Sequence, residues 1–103
     1  MARPSVLDPG EVEQALGDLP GWELRNGKLH LELRFADFAA AFGFMAAAAT
    51  VAAEMDHHPE WSNVYSRVTV ALVTHDAGGV TELDLRLARR MSELAMAAHH
   101  AVD

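Results

Sequence analysis

An α+β domain, one four-stranded antiparallel sheet with three helices packed on one face, is the fold class this sequence predicts. Two stretches of alternating apolar and polar residues read as strands, each part of a hairpin. Three other stretches carry apolar residues at helical spacing behind capping residues. The resulting order, α-β-β-α-β-β-α, keeps paired strands adjacent in the chain, which favours antiparallel pairing with helices on one side. The chain has 103 residues, the size of one domain, 1–103, that buries about two-thirds of its unfolded surface without disulfides.

The elements follow in order. Asp8-Pro9-Gly10-Glu11 is a helix start, with Asp8 as cap, Pro9 in the first turn and Glu11 three residues beyond the cap. This helix is predicted to run to about Leu19, where Leu19-Pro20-Gly21 stops it. Trp22 to Arg25 reads as a short strand and Asn26-Gly27 as a two-residue hairpin turn, because both residues accept positive φ. Leu29, Leu31, Leu33 and Phe35 then alternate with His30, Glu32 and Arg34. Asp37 caps a second helix, whose predicted buried stripe is Phe38, Phe42 and Met45 continued by Ala48, Ala49 and Ala52. That helix must end before His58, which precedes Pro59 and is pushed out of the α region. From Asn63 the pattern turns β, with Val68, Val70, Leu72 and Thr74 on one face and a reversal at Ser66-Arg67. His75 to Gly79 is a loop by composition. Thr81 opens a third helix with Asp84 as a capping-box variant, and Leu83, Leu87, Met91, Leu94 and Ala98 share one face.

Composition excludes several classes of function. Eight basic against fifteen acidic residues give a formal charge of −7, with no basic cluster longer than Arg89-Arg90, so no direct nucleic-acid partner is expected. The absence of Cys removes thiolate nucleophiles and Cys-type zinc sites, leaving His, carboxylates and hydroxyls for any chemistry. Pro4, Asp8 and Glu11 interrupt what would be the apolar core of a signal peptide, which predicts a cytoplasmic location. The longest uncharged run, Phe38 to Ala53, is 16 residues and mostly Ala, short of the roughly 20 apolar residues of a membrane span. A buried helix and no membrane partner are expected.

Six histidines are present. His30 lies on the strand face opposite the leucines and His99-His100 in a tail expected to fray, so these three read as surface residues. His57, His58 and His75 sit at element ends, where a scaffold brings loop residues together. Converging imidazoles suit general acid–base work near neutral pH; the structural alternative for His57-His58 is a pair bonding the last carbonyls of a helix. Asp56, Glu60 and Asp76 flank the imidazoles and are placed either to orient them or as solvated charges. Trp61 suits stacking on a planar ligand or a place in the core. As zinc ligands the three histidines are poorly spaced: adjacent His57 and His58 diverge, and no H-x-x-x-H or H-x-H pair is present, so no metal is expected.

The string Asp56-His57-His58-Pro59-Glu60-Trp61, then Asn63-Val64-Tyr65, then Thr74-His75-Asp76-Ala77-Gly78-Gly79 and Asp84 closely resembles the pterin-4a-carbinolamine dehydratase family. Leu19-Pro20-Gly21-Trp22 and Phe35 to Met45 extend the resemblance over nearly the whole chain. Tyr65 follows His58 by seven residues, His75 follows Tyr65 by ten and Asp84 follows His75 by nine, as in the family pattern. The resemblance implies a cofactor-free dehydratase that converts 4a-hydroxytetrahydropterin to quinonoid dihydropterin and water, in the recycling of tetrahydrobiopterin-type cofactors. It implies catalytic imidazoles at His57, His58 and His75, substrate contacts at Asp56, Trp61, Val73, Thr74 and Asp76, and supporting roles for Pro59, Glu54 and Asp84. It also implies a homodimer or homotetramer. The other reading within the same fold is a non-catalytic interaction module, a transcription cofactor or assembly factor. In one place the chain departs from the family pattern: the acidic residue usual four positions before the first histidine is Ala53 here, with Glu54 one residue later. One residue on a helix is a rotation of about 100°, so Glu54 is expected to point elsewhere.

Overall fold

The computed structural model describes residues 4–98 and the backbone of 101–102. Helix α1 (Pro9–Leu16) begins as its capping box dictates: the Asp8 side chain accepts from Glu11 N at 2.8 Å, and the Glu11 side chain accepts from Asp8 N at 3.0 Å. It stops three residues short of the expected Leu19. The N–H groups of Gly17, Asp18 and Leu19 reach back to the carbonyls of Gln14, Ala15 and Leu16, a tighter turn that unwinds the chain ahead of Pro20 and buries Leu19. Trp22 is buried, and its indole N–H donates to Ser92 Oγ at 2.8 Å, tying this loop to the last helix.

Strands β1 (Glu23–Arg25) and β2 (Lys28–Arg34) join through Asn26 at φ +52° and Gly27 at φ +77°, the two left-handed residues a type I′ turn requires. Strands β3 (Glu60–Val64) and β4 (Arg67–Leu72) form the second hairpin, and the sheet runs β1-β2-β4-β3, every pair antiparallel. Register aligns Leu31 with Val70 and Val70 with Trp61. The alternating residues therefore share one face, and Leu29, Leu31, Leu33, Val68, Val70 and Leu72 are all fully buried there.

The second hairpin is offset from its expected position. β3 starts at Glu60 rather than Asn63, and the reversal falls on Tyr65-Ser66, one residue earlier than Ser66-Arg67. Tyr65 takes φ +51°, held by Asn63, whose side-chain amide donates to the carbonyls of Tyr65 and Arg67 at 3.0 and 2.9 Å. As an edge strand covered only in part, β3 shows no clean alternation, which is why its start escapes pattern reading.

Helix α2 (Phe38–Met55) is capped by Asp37, whose side chain accepts from Ala40 N at 2.8 Å. Its buried stripe is Ala41, Phe44, Ala48, Val51 and Ala52; Ala48 and Ala52 of the expected stripe belong to it, whereas Phe38 and Phe42 are 51% and 56% exposed, Ala49 is exposed and Met45 is half-buried. Aromatic and alanine residues occur all round this helix, so hydrophobicity does not distinguish its faces. Packing does: small Ala41, Ala48 and Ala52 allow close approach, and Phe44 stacks on Phe35 with centroids 5.3 Å apart. By length and composition alone α2 would pass for a membrane-crossing helix, yet one side of it forms the core, so the expected buried helix is half-buried.

Helix α3 (Glu82–Ala97) starts at Thr81 with the anticipated Thr81–Asp84 capping box. Leu85, Leu87, Ala88, Met91 and Ala95 are buried, and Leu83, Leu94 and Ala98 of the expected face lie at its rim. A further two-residue strand, β5 (Ala101–Val102), pairs with Leu33 and Arg34 on the edge of β2 beyond β1, so the tail expected to fray continues the sheet there; His99 and His100 fall outside the described residues.

Candidate active site

Two chain exits build the site. At the first, α2 terminates on Asp56, which adopts φ +51°, while His57 N donates back to Ala52 O at 3.0 Å; this six-residue closure turns the chain sharply and sends His57-His58-Pro59 toward the sheet. At the second, β4 ends at Leu72, and Thr74 pairs with Gly79 to pinch off the loop that carries His75 and Asp76. The exits face each other across a cleft of about 190 Å³ lined by Asp56, His57, His58, Val73, Thr74, His75 and Asp76. Three imidazoles separated by up to 18 residues of sequence thus border one small space.

The floor of the cleft is a buried polar network. Asp84 is fully buried; its Oδ2 accepts from Thr74 Oγ1 at 2.8 Å and from Thr81 N at 2.9 Å, and its Oδ1 lies 2.5 Å from His57 Nε2. A carboxylate only accepts, so His57 donates Nε2–H to it and Nδ1 is the nitrogen left for other partners. Thr74 and Thr81 hydroxyls lie 2.7 Å apart, and Thr81 Oγ1 also accepts from Leu83 N. The carboxylate that closes the capping box of α3 is therefore the anchor of His57.

His75 is held differently. It is exposed, and its Nε2 lies 2.7 Å from Glu60 Oε2, while Glu60 Oε1 accepts from Lys28 Nζ at 2.7 Å. The Lys28 hydrogen bond is the main influence holding the Glu60 carboxyl below its ordinary value; partial burial opposes it, and the bond from His75 adds to it. His58 is exposed on the cleft rim.

Other expected residues stand apart. Trp61 is half-buried against the core from β3 and is not among the residues that line the cleft. Pro59 only directs the chain into β3, and His30 is half-buried on the outer sheet face. Glu54, as anticipated, points elsewhere: with Val51, Met55, Arg86, Arg89, Arg90 and Glu93 it borders a separate depression of about 600 Å³ between α2 and α3. That depression is larger, but it contains no imidazole, and proton chemistry, not volume, selects the smaller cleft. Among the described residues no group of three His or carboxylate side chains is placed to hold a metal ion. Sequence reading missed Thr81 and Lys28 as participants. Lys28 lies two strands away from Glu60, and only the β2-β4-β3 register connects them.

Residues 5–94 match the family model for pterin 4 alpha carbinolamine dehydratase. The chain belongs to that family. A protein of Solibacter usitatus, provisionally named a pterin-4-alpha-carbinolamine dehydratase, is 53% identical over 89 residues, covering 86% of this chain and 94% of the relative. One of Bordetella avium with the same provisional name is 57% identical over 90 residues, covering 85% and 83%. A crystal structure from Brucella melitensis, described as a transcriptional coactivator/pterin dehydratase, superposes with a TM-score of 0.85 at 47% identity, covering 88% of this chain and 99% of that one. The three-helix, antiparallel-sheet architecture expected from the sequence is the fold of that pterin dehydratase.

Proposed function

We propose that this protein dehydrates 4a-hydroxytetrahydropterin to quinonoid dihydropterin by histidine general acid–base catalysis, in the cytoplasmic recycling of a tetrahydrobiopterin-type cofactor. The observation that carries the reading is the convergence of His57, His58 and His75 on one cleft, in a chain of this family. The reaction needs a proton delivered to the departing 4a-hydroxyl as its C–O bond breaks. It also needs a proton removed from the adjacent ring nitrogen as the C=N bond forms. One proton enters and one leaves, and imidazoles exchange both near neutral pH. In this reading the His57/His58 pair serves the hydroxyl and His75 the ring nitrogen, with Asp56, Val73, Thr74 and Asp76 against the pterin edge. Asp84 fixes the His57 ring, so that proton exchange with substrate passes through Nδ1.

The test follows carbinolamine dehydration spectrophotometrically with purified protein and with His57→Ala, His58→Ala and His75→Ala. Loss of about 10²–10⁴-fold in rate from at least two variants is expected. A wild-type rate no greater than the spontaneous one overturns the reading.

A second reading, a protein-interaction role, is favoured by the uncovered apolar face of α2, where Phe38 and Phe42 pack on each other at 5.9 Å in full view of solvent. The coactivator description of the Brucella structure points the same way. Self-association through this face, giving a dimer or tetramer, belongs to the same proposal. Sedimentation of wild type and Phe42→Ser tests it: a species that stays monomeric in both argues against it.

A further inference from the structure

The outer face of the sheet carries a chain of contacts that reaches the cleft from behind. Lys28 opens β2, Glu60 opens β3, and β4 lies between them. Two strand spacings amount to about 9.6 Å, a gap that needs two long side chains to close. On this face β4 contributes Ala71, paired with both His30 and Glu60, whose side chain is only a methyl group. Lys28 Nζ thus meets one Glu60 oxygen at 2.7 Å, and the other oxygen meets His75 Nε2 at 2.7 Å.

The two oxygens of Glu60 therefore do different work. One is fixed by an ammonium group that only donates, which sets the plane of the carboxylate. The other accepts from the imidazole, and since a carboxylate cannot donate, the ring proton sits on Nε2. His75 lies in a loop, exposed over 71% of its side chain, with no buried packing to fix its ring. His57 has a fully buried Asp84 for the same purpose. Both imidazoles are thereby bonded to a carboxylate through Nε2, one inside the core and one on the surface.

We infer that Glu60, braced by Lys28 across β4, is the positioning residue for His75: it holds the ring in the Nε2–H tautomer, so that Nδ1 is the nitrogen offered to the cleft. The catalytic relevance of this strut rests on the dehydratase reading, but its existence does not. Glu60 touches no substrate, and its effect passes through the orientation and tautomer of His75.

The test reads ring nitrogens directly. In the full-length ¹⁵N-labelled protein, two-bond ¹H–¹⁵N spectra at alkaline pH are expected to show His75 as the Nε2–H tautomer. Glu60→Ala shifts its signals toward a tautomer mixture, and Lys28→Met does so in part. Glu60→Gln leaves one acceptor oxygen for two donors, so it is expected to retain the Nε2–H pattern only in the Lys28→Met background, where no ammonium competes for that oxygen. In the dehydratase assay Glu60→Ala lowers kcat on the order of tenfold with KM nearly unchanged, and Glu60→Gln combined with Lys28→Met recovers more of the loss than Glu60→Gln alone. A His75 ring already mixed or Nδ1-protonated in the wild type, or unchanged by Glu60→Ala, overturns the inference. So does a tautomer shift that leaves kcat untouched in an active enzyme. If the wild type shows no dehydratase activity while the tautomer shifts as stated, the strut stands and the dehydratase reading alone falls.

Discussion

Replacing Asp84 by Asn changes almost nothing in shape and everything in hydrogen bonding. The native carboxylate accepts three bonds in full burial, from His57 Nε2, Thr74 Oγ1 and Thr81 N. An amide keeps one acceptor oxygen. If that oxygen faces Thr74 and Thr81, the NH₂ group faces His57 and forces Nε2 to accept, moving the ring proton to Nδ1. If the amide flips, its NH₂ meets the Thr81 N–H, and two donors confront each other without water. Hydrogen bonds to charged groups contribute about 1.5–3 kcal/mol each, and stripping a partner from a buried charged pair costs about 3–5 kcal/mol. Asp84→Asn is therefore expected to lose about 3 kcal/mol, and Asp84→Ala, which orphans both threonine groups and the α3 cap, about 4 kcal/mol.

For a domain of this size a loss of 3 kcal/mol lowers Tm by about 12–24 °C. Urea unfolding followed by circular dichroism is the assay, with the midpoint shifting and the slope constant. A double-mutant cycle with His57→Ala isolates the pair, with a coupling of about 1–3 kcal/mol expected. At a temperature where Asp84→Asn remains folded, its dehydration rate should fall on the order of 10²-fold, because the wrong nitrogen then carries the proton. A stability change within about 0.5 kcal/mol, the range of ordinary surface substitutions, or strict additivity with His57→Ala, would refute the reasoning.

Glu60 has a lowered folded pKa, so its link to Lys28 is present above the ordinary value of 4.5 and is lost only as pH falls through a lower one; ¹³C carboxyl titration should find its midpoint below 4.5, and Lys28→Met should move it upward. Phe44→Ala removes a fully buried ring stacked on Phe35 and should cost about 3–5 kcal/mol, whereas Phe42→Ala should leave the stability of dilute protein within about 0.5 kcal/mol, as urea midpoints will show. Gly27→Ala places a side chain at φ +77° in the first hairpin and should cost about 1 kcal/mol by the same measurement.

What pattern reading recovers and what it misses divides along physical lines. The Asn26-Gly27 turn, the Asp8 and Thr81 caps and the β4 alternation were legible because each is decided within a few residues by sterics or by one side-chain bond. The face of α2 was not, since apolar residues surround that helix and only packing against Phe35 and α3 selects Phe44 over Phe42. The start of β3 was obscured because an edge strand half out of the core has little alternation to show. Nor was the pairing of Ala101–Val102 with β2, which uses the edge of β2 at Leu33 and Arg34, beyond the reach of the short β1. Within the site, the cleft-lining residues Asp56, His57, His58, Val73, Thr74, His75 and Asp76 lay in recognisable strings, whereas Lys28 lay in none.

The contrast between Asp84 and Lys28 explains which parts of a site a sequence exposes. Asp84 performs a local task, closing the α3 cap through Thr81, and that task fixes its carboxylate in the core with one oxygen to spare. His57 arrives at that oxygen because the left-handed Asp56 turns the end of α2 toward it. The imidazole is thus oriented by a residue whose position is already required for the helix to begin, and damage to the site and damage to the fold are inseparable there. Lys28 and Glu60 carry no such second task. Both are partly exposed, neither holds an element together, and their contact with His75 depends on sheet register alone. Substitutions at Asp84 should consequently depress stability and turnover together, while those at Lys28 and Glu60 should act on the His75 ring and leave unfolding nearly untouched.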